Sequence, residues 1–129
     1  MVTNAVRIWL RLEGACVLAM LTALYWRAGG RWWVFLVCFL IPDLSLLAYW
    51  SGPRLGAYLY NAAHSYAGPA LLGLACVGKS KAGVLTALIW GAHIGFDRLL
   101  GYGLKYPNAF GNTHLGWIGA DARVRERKA

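Results

Sequence analysis

Four stretches of the chain are apolar over about the length that a membrane-spanning helix needs. They cover residues 8–26, 32–50, 55–77 and 82–104. A helix needs about 20 residues to cross the hydrocarbon core of a bilayer. Short connectors marked by glycine, proline or basic residues separate the stretches, so consecutive helices are expected to be antiparallel neighbours. The sequence therefore predicts an all-α fold, a compact four-helix transmembrane bundle.

The composition excludes several other classes of protein. Hydrophobic residues make up 59% of the chain and charged residues 14%, whereas a soluble domain is about 45–50% apolar and about 25% charged. The net charge is +8, but four of the basic residues lie in the last seven positions and no basic stripe follows an apolar helix. We therefore expect no nucleic-acid partner. The three cysteines lie in apolar stretches without C-x-x-C spacing, which argues against a disulfide or zinc framework.

The distribution of basic residues predicts the orientation in the membrane. Of the 13 Lys and Arg residues, nine lie toward one end of the predicted helices and four toward the other. Because basic residues are enriched on the cytoplasmic side, both termini are expected in the cytoplasm. Residues 1–120 then form the transmembrane domain, and residues 121–129 form a basic cytoplasmic tail that contacts anionic lipid.

Each predicted helix carries at least one ionisable residue in the half of the membrane nearest the cytoplasm. These residues are Glu13, Asp43, His64, His93 and Asp97. At 1.5 Å per residue they lie roughly 8–16 Å from the cytoplasmic helix ends. A charged side chain at mid-helix costs about 2.5–3.5 kcal/mol in contact with lipid. We therefore expect these side chains to face the interior of the bundle and to meet in one polar site.

Local spacing supports such a site. His93 and Asp97 are four residues apart, and Asn61 and His64 are three apart, so each pair lies on one face of its helix. Pro42 comes directly before Asp43. It is expected to kink or break the second helix there and to free backbone carbonyls beside the carboxylate.

Two glycines predict a close contact between helices. Gly91 and Gly95 are four residues apart, on the face of the fourth helix nearly opposite His93. Small residues at this spacing let another helix backbone approach closely. The sequence therefore predicts that a neighbouring helix crosses the fourth helix at these glycines.

The segment after the fourth helix has its own pattern. Gly101, Gly103 and Pro107 end the helix, and residues 115–118 are apolar but too short to span a membrane. Burying large apolar side chains is worth about 1.5–3 kcal/mol each. The fold is therefore expected to include a cytoplasmic C-terminal interfacial segment that carries His114 over the mouth of the polar site.

Several of these motifs together resemble one known family. They are Pro42-Asp43, Tyr60-Asn61-x-x-His64, IWGAHIGFDR at 89–98, GYGLKYP at 101–107 and Thr113-His114-Leu115. They resemble the small bacterial integral membrane proteins classed as domain of unknown function 4260, over nearly the whole chain except the basic tail. The resemblance implies a compact four-helix membrane protein and no particular activity. The predicted location is the bacterial cytoplasmic membrane.

A divalent metal is the favoured cofactor of the predicted site. Histidine and carboxylate ligands suit zinc, iron or manganese. The candidate ligands are His64, His93, Asp97 and His114, with Asp43 or Glu13 able to complete the set. An open position on such a metal would activate water or oxygen. This favours an enzyme that acts on a membrane-soluble or amphipathic small molecule.

Metal-free acid–base catalysis is an alternative. A carboxylate buried in a bundle has its pKa raised toward neutrality, and histidine titrates there already. Asp43 or Glu13 could then act as the acid and a histidine as the base in an isomerase, hydratase or cyclase. The candidate catalytic residues are Glu13, Asp43, Asn61 and Arg98.

Binding without catalysis and a purely structural network are further alternatives. His64 and His93 could be axial ligands of a haem, or the polar layer could bind protons or a cation. In a structural network Arg98 would pair with a carboxylate, while His93 would bond Asp97 and His64 would bond Asn61. The oligomeric state does not follow from the sequence.

Overall fold

The computed structural model describes residues 3–119, and most of this part of the chain is helical. Its helices are α1 (Asn4–Arg27), α2 (Trp32–Phe39), a 3-10 helix (Ile41–Ser51), α3 (Pro53–Ala63), α4 (Ala67–Cys76) and α5 (Lys81–Leu100). Two short strands follow, β1 (Asn112–Thr113) and β2 (Gly116–Trp117). The all-α prediction is confirmed, apart from this hairpin. The predicted basic tail, residues 121–129, lies outside the described residues.

The second apolar stretch is broken where the sequence predicts it. Helix α2 ends at Phe39, and the chain continues from Ile41 as a 3-10 helix with Pro42 in its first turn. Proline has no N–H to donate, and its ring clashes with the carbonyl four residues before it, so the α-helix cannot pass through it. Asp43 is consequently placed at the start of the new helix.

The third stretch is also broken, and here the prediction of one continuous helix is wrong. Helix α3 ends at Ala63 and α4 begins at Ala67. The reason is Pro69, which lies in the first turn of α4. A continuous helix would need an N–H from Pro69 to the Ser65 carbonyl, whereas a first turn needs no such hydrogen bond. His64 therefore lies at the end of α3, at the break.

Helix α5 has clear signals at both ends. The Ser80 hydroxyl accepts a hydrogen bond from the backbone N–H of Gly83 at 3.1 Å, which caps the first turn. Gly101 adopts φ 97°, in the left-handed region, where glycine ends helices most readily. The predicted end at residue 104 is therefore four residues too late, because the left-handed turn stops the helix at Leu100.

Helices α1 and α5 pack directly against each other through glycine. A Cβ atom on Gly95 would lie 2.8 Å from both the Gly14 carbonyl oxygen and the Leu18 nitrogen. A Cβ atom on Gly91 would lie 2.5 Å from a methyl group of Leu21. The two backbones therefore touch at Gly95, and the predicted close approach is confirmed. Rising residue numbers in α1 meet falling numbers in α5, so the helices are antiparallel.

The most buried part of the described chain is the C-terminal half of α5. Ala92 and Ile94 are fully buried there, together with His93. Helices α1, α2 and α4 pack on α5, and the 3-10 helix packs on α3. These contacts surround the polar residues of α5 with helices.

By length and composition, two described segments could cross a membrane. They are Asn4–Arg27, which is α1, and Trp32–Ser51, which combines α2 with the 3-10 helix. Helix α4 is apolar but shorter. The structure thus supports membrane crossing at two of the four predicted stretches, and only by apolar length.

The segment after α5 folds back onto the helices as a small hairpin. Strands β1 and β2 are antiparallel, and Lys105 forms a further bridge to Thr113. Leu115, at the hairpin turn, is 2% exposed, and its carbonyl accepts a hydrogen bond from Arg7 Nε of α1 at 3.0 Å. The hairpin is therefore attached to the N-terminal part of α1.

Candidate metal centre

Four ionisable side chains meet in the interior of the helices. Asp43, His64, His93 and Asp97 each offer one ligand atom, and these four atoms all lie within 4.8 Å of one another. We call these four residues the His/Asp cluster. The expectation that polar groups from different helices converge is confirmed for these four side chains.

Two of the four members of the His/Asp cluster lie at helix breaks. Asp43 follows Pro42 in the first turn of the 3-10 helix, and His64 caps the C-terminus of α3. His93 and Asp97 lie one turn apart on the buried face of α5. Backbone discontinuities beside a polar site are a common feature of membrane proteins, because there the irregular backbone is shielded from lipid.

The distances within the cluster fit a single metal ion. His64 Nε2 lies 3.1 Å from His93 Nε2, 3.4 Å from Asp43 Oδ1 and 3.3 Å from Asp97 Oδ2. His93 Nε2 lies 3.5 Å from Asp43 Oδ1 and 3.9 Å from Asp97 Oδ2. Metal–ligand bonds of 2.0–2.1 Å at tetrahedral angles place ligand atoms about 3.3–3.4 Å apart. Most of the distances are close to that value.

Tyr60 fixes the orientation of two members. Its carbonyl oxygen lies 2.9 Å from His64 Nδ1. A carbonyl can only accept, so Nδ1 carries the proton and Nε2 presents a lone pair to the cluster. The Tyr60 hydroxyl donates to Asp97 Oδ2 at 3.1 Å, and its ring stacks on His64 with the centroids 3.8 Å apart. Such supporting contacts are typical of metal ligands.

His93 is oriented by packing. Phe39 of α2 meets its ring edge-on, with the centroids 5.1 Å apart, and within residues 3–119 the buried Nδ1 has no hydrogen-bond partner. Since His64 Nε2 presents a lone pair, His93 Nε2 can donate a proton to it across the 3.1 Å separation. To bind a metal ion through Nε2, His93 would instead carry its ring proton on Nδ1.

The cluster is most accessible at Asp43. The side chain of Asp43 is 41% exposed, that of Asp97 is 11% exposed, and both histidines are almost completely buried. A small molecule therefore reaches the cluster most directly past Asp43.

Arg98 supports the cluster without pairing with its carboxylates. It is buried, and its guanidinium donates to the carbonyls of His64 at 2.9 Å and Tyr102 at 2.7 Å. The bond to His64 satisfies a carbonyl that the break after α3 leaves free. The carboxylate pairing expected for a structural network is not the arrangement that the structure shows.

Lys105 is a second buried cation near the cluster. It is 5% exposed, its ammonium donates to the Phe110 carbonyl at 3.2 Å, and it lies 4.8 Å from the centroid of the Tyr60 ring. Burial lowers the pKa of Lys105 to about 8, while the negative charge of Asp97 acts in the opposite direction. The ammonium group of Lys105 is thus held close to the Tyr60 ring, which stacks on His64.

Four of the eight predicted site residues lie outside the cluster. They are Glu13, Asn61, Arg98 and His114. Glu13 is exposed on α1. Both polar atoms of the Asn61 side chain bond the backbone of Lys105, at 2.8 and 2.7 Å, so Asn61 anchors the segment after α5. The predicted hydrogen bond between His64 and Asn61 is therefore replaced by bonds from each residue to backbone.

His114 has a structural hydrogen bond. Its Nδ1 accepts from the backbone N–H of Leu104 at 2.8 Å, and a Cβ atom on Gly103 would lie 2.6 Å from that nitrogen. Burial lowers the pKa of His114, with a further lowering from the charge of Arg98, and this direction favours the neutral ring that the hydrogen bond requires. The structure therefore does not place His114 in the His/Asp cluster, and its Nδ1 is bound to the backbone of the segment after α5.

The fold and the cluster together define a helical protein with a buried, metal-compatible group of two histidines and two aspartates. The family model described as domain of unknown function (DUF4260) matches residues 7–118. The chain therefore belongs to this family, as its motifs indicated. The matched region contains all four members of the His/Asp cluster, and Tyr60, Arg98 and Lys105 with them. No curated protein and no solved structure matches the chain.

Proposed function

We propose that this chain is an integral membrane protein whose His/Asp cluster binds a divalent transition metal and serves as the centre of an enzyme. Its substrate is membrane-soluble or amphipathic. The observation that carries the proposal is the convergence of four ligand atoms within 4.8 Å, from three segments far apart in the sequence. Carboxylates and histidines in a membrane interior mark functional sites by default, because burying them is costly.

The donor set indicates which metal would fit. Two imidazole nitrogens and two carboxylate oxygens suit zinc, iron or manganese and do not favour copper(I), which prefers sulfur. A haem needs its two axial histidines on opposite faces of the porphyrin. Here the two Nε2 atoms are 3.1 Å apart with two carboxylates beside them, and this arrangement favours a single ion over a haem.

The side chains of the cluster have different roles in the proposed enzyme. A bound divalent metal would supply Lewis-acid activation of a water or of a substrate oxygen. His64 and Asp97 are held by Tyr60 and provide a rigid side of the site. Asp43 is the most exposed member, so it is the member that an incoming substrate would meet first. Buried His93 completes the set.

Exposed apolar side chains support the membrane location. Trp50 is 87% exposed and Leu74 is 74% exposed, and large apolar side chains are also exposed on α1, α2 and α3. A soluble monomer rarely exposes so much apolar surface. We propose four spans, with α3 and α4 forming one broken span, and both termini in the cytoplasm.

The broken spans also meet a requirement of the membrane. Each break frees carbonyl groups that lipid cannot satisfy. The Pro42 carbonyl accepts from the Ser45 hydroxyl at 2.7 Å, and the His64 carbonyl accepts from Arg98 at 2.9 Å. One backbone carbonyl beside each break, that of Pro42 and that of His64, is therefore satisfied internally.

Metal analysis tests the proposal directly. The detergent-purified protein is incubated with zinc, manganese or anaerobic iron(II), desalted and measured by mass spectrometry. We expect about one ion per chain, at least a tenfold loss in His93→Ala, and no loss in the matched control His114→Ala. Wild-type protein without metal above background, or equal metal content in His93→Ala, would contradict the proposal.

Metal-free acid–base catalysis is the second candidate. The 3.1 Å separation between the two Nε2 atoms is also a complete hydrogen bond when no ion is bound. Absence of metal in all three incubations, with a folded protein, would favour this alternative.

A further inference from the structure

A cavity is lined by residues that directly adjoin members of the His/Asp cluster in the chain. It has a volume of about 310 Å³, at the lower end of the range of ligand pockets, about 300–1,000 Å³. Its wall includes Pro42 and Ala63, which directly precede Asp43 and His64, and also Ile89, one helical turn before His93. The same backbone segments therefore shape the cavity and hold three members of the cluster.

The wall of the cavity is apolar even where its residues are polar. The Ser45 hydroxyl donates to the Pro42 carbonyl at 2.7 Å, and the Thr86 hydroxyl donates to the Ala82 carbonyl at 2.9 Å. The Trp90 indole N–H donates to the Ala63 carbonyl at 2.6 Å. These three lining side chains use their N–H and O–H hydrogens on nearby backbone, so they leave none for a ligand. The cavity therefore selects a ligand by the apolar surface of that ligand.

The position of the cavity indicates how such a ligand would enter. Ile41 and Thr86 line it and are exposed, whereas Ile89 lines it and is 2% exposed. The cavity therefore extends from an exposed apolar surface toward the core. Asp43, the exposed member of the cluster, follows Pro42 in its wall.

We infer that the cavity holds the hydrocarbon chain of a lipid-class substrate, with the polar end of that molecule at Asp43. The inference rests on the proposed function, because the cluster supplies the chemistry and the cavity selects the substrate. A ligand entering from the bilayer would exchange one apolar environment for another, so its polar end determines where along the protein it stops.

Photolabelling tests the inference. The detergent-purified protein is irradiated with a diazirine-labelled hexadecanol, whose polar end is uncharged, and adducts are mapped by peptide mass spectrometry with and without excess unlabelled hexadecanol. We expect competable adducts on lining residues such as Cys38 and Trp90. Thr86→Trp, which fills the cavity from its exposed edge, should lower competable labelling at least tenfold.

Controls separate filling of the cavity from general damage. Ala19 lines a different apolar groove, between α1 and α2, and Ala19→Trp should leave labelling within twofold of wild type. If Thr86→Trp does not fold, Cys38→Trp fills the same cavity from α2. Adducts spread over all helices without competition, or undiminished labelling in the filled variant, would overturn the inference. A stable dimer in which a second copy of the chain covers the cavity and prevents labelling would also overturn the inference.

Metal content measured on the same samples distinguishes a failure of the lipid inference from a failure of the proposed metal-dependent function. Bound metal without competable labelling would overturn the lipid inference and leave the metal centre in place. Competable labelling without metal would support the lipid cavity and overturn the metal-dependent function.

Discussion

Tyr60 contacts both kinds of ligand in the His/Asp cluster, an imidazole and a carboxylate. Its carbonyl fixes His64, and its hydroxyl bonds Asp97. The two functions can be separated, because Phe at this position keeps the carbonyl and the stacked ring and removes only the hydroxyl. The variant therefore isolates one hydrogen bond at the edge of the proposed metal centre.

We expect Tyr60→Phe to weaken metal binding about 10–100-fold, the usual cost of losing a group that orients a ligand. Stability should change little, since the ring still packs on His64. Competition with a chromophoric chelator gives the dissociation constant. Tyr58→Phe is the matched control, because Tyr58 is exposed on the same helix and its variant should bind metal as wild type does. Unchanged affinity in Tyr60→Phe would show that the hydroxyl does not act on a metal ligand.

Convergence of the cluster could be predicted from single residues, whereas its supporting contacts could not. Asp43, His64, His93 and Asp97 are costly in lipid, so they had to face one another. Tyr60 precedes His64 by one helical turn, but the direction of its hydroxyl depends on where α5 packs. Asn61 is predicted at the site from its spacing to His64, and His114 from the apolar residues that follow it. Their actual partners belong to the segment after α5, whose path no periodic pattern specifies.

At the scale of the helices, one rule about proline explains both breaks, although only one was predicted. Pro42 lies inside its apolar stretch, directly before the carboxylate of Asp43. Pro69 lies five residues after His64 in a stretch that otherwise has the length of one span. The loss of the helical hydrogen bond to the Ser65 carbonyl could therefore be predicted from the sequence. The consequence, that His64 becomes the end of α3, required the structure.

The contact between α1 and α5 leads to a prediction about stability. In Gly95→Ala the new Cβ would lie 2.8 Å from the backbone of Gly14 and Leu18, so the two helices must separate. Overpacking of this kind costs about 1–3 kcal/mol. Thermal unfolding in detergent should therefore occur at a clearly lower temperature.

Gly73→Ala is the matched control for this contact. Its Cβ would lie 3.6 Å from the Cβ of Ala87, an ordinary van der Waals distance, and Ala is a better helix former than Gly by about 1 kcal/mol. This variant should be as stable as wild type or slightly more so. Equal unfolding temperatures for the two variants would mean that α1 and α5 do not touch at Gly95.

At the scale of the whole molecule, the pairing of α1 with α5 bears on how many times the chain crosses the membrane. Arg11 Nε donates to the Leu99 carbonyl at 2.7 Å near one end of the pair. Near the other end, a Cβ atom on Gly29 would lie 3.3 Å from Lys81 Nζ. Helix α5 therefore runs beside α1 for almost its whole length. If α1 crosses the bilayer, α5 lies within the same slab, despite its His93, Asp97 and Arg98.

The pairing of α1 with α5 predicts the outcome of a topology experiment. With four spans, a reporter inserted at residues 78–81, between α4 and α5, should be external, while reporters at either terminus should be cytoplasmic, as the nine-to-four distribution of basic residues indicates. With only the two spans that apolar length supports, the terminal reporters would also be cytoplasmic, so the reporter at 78–81 alone distinguishes the arrangements. A cytoplasmic signal there would place α3, α4 and α5 outside the bilayer. The cluster would then need a soluble substrate, and the α1–α5 pair would have to separate in the membrane. An external signal would place both helix breaks and the His/Asp cluster within the membrane.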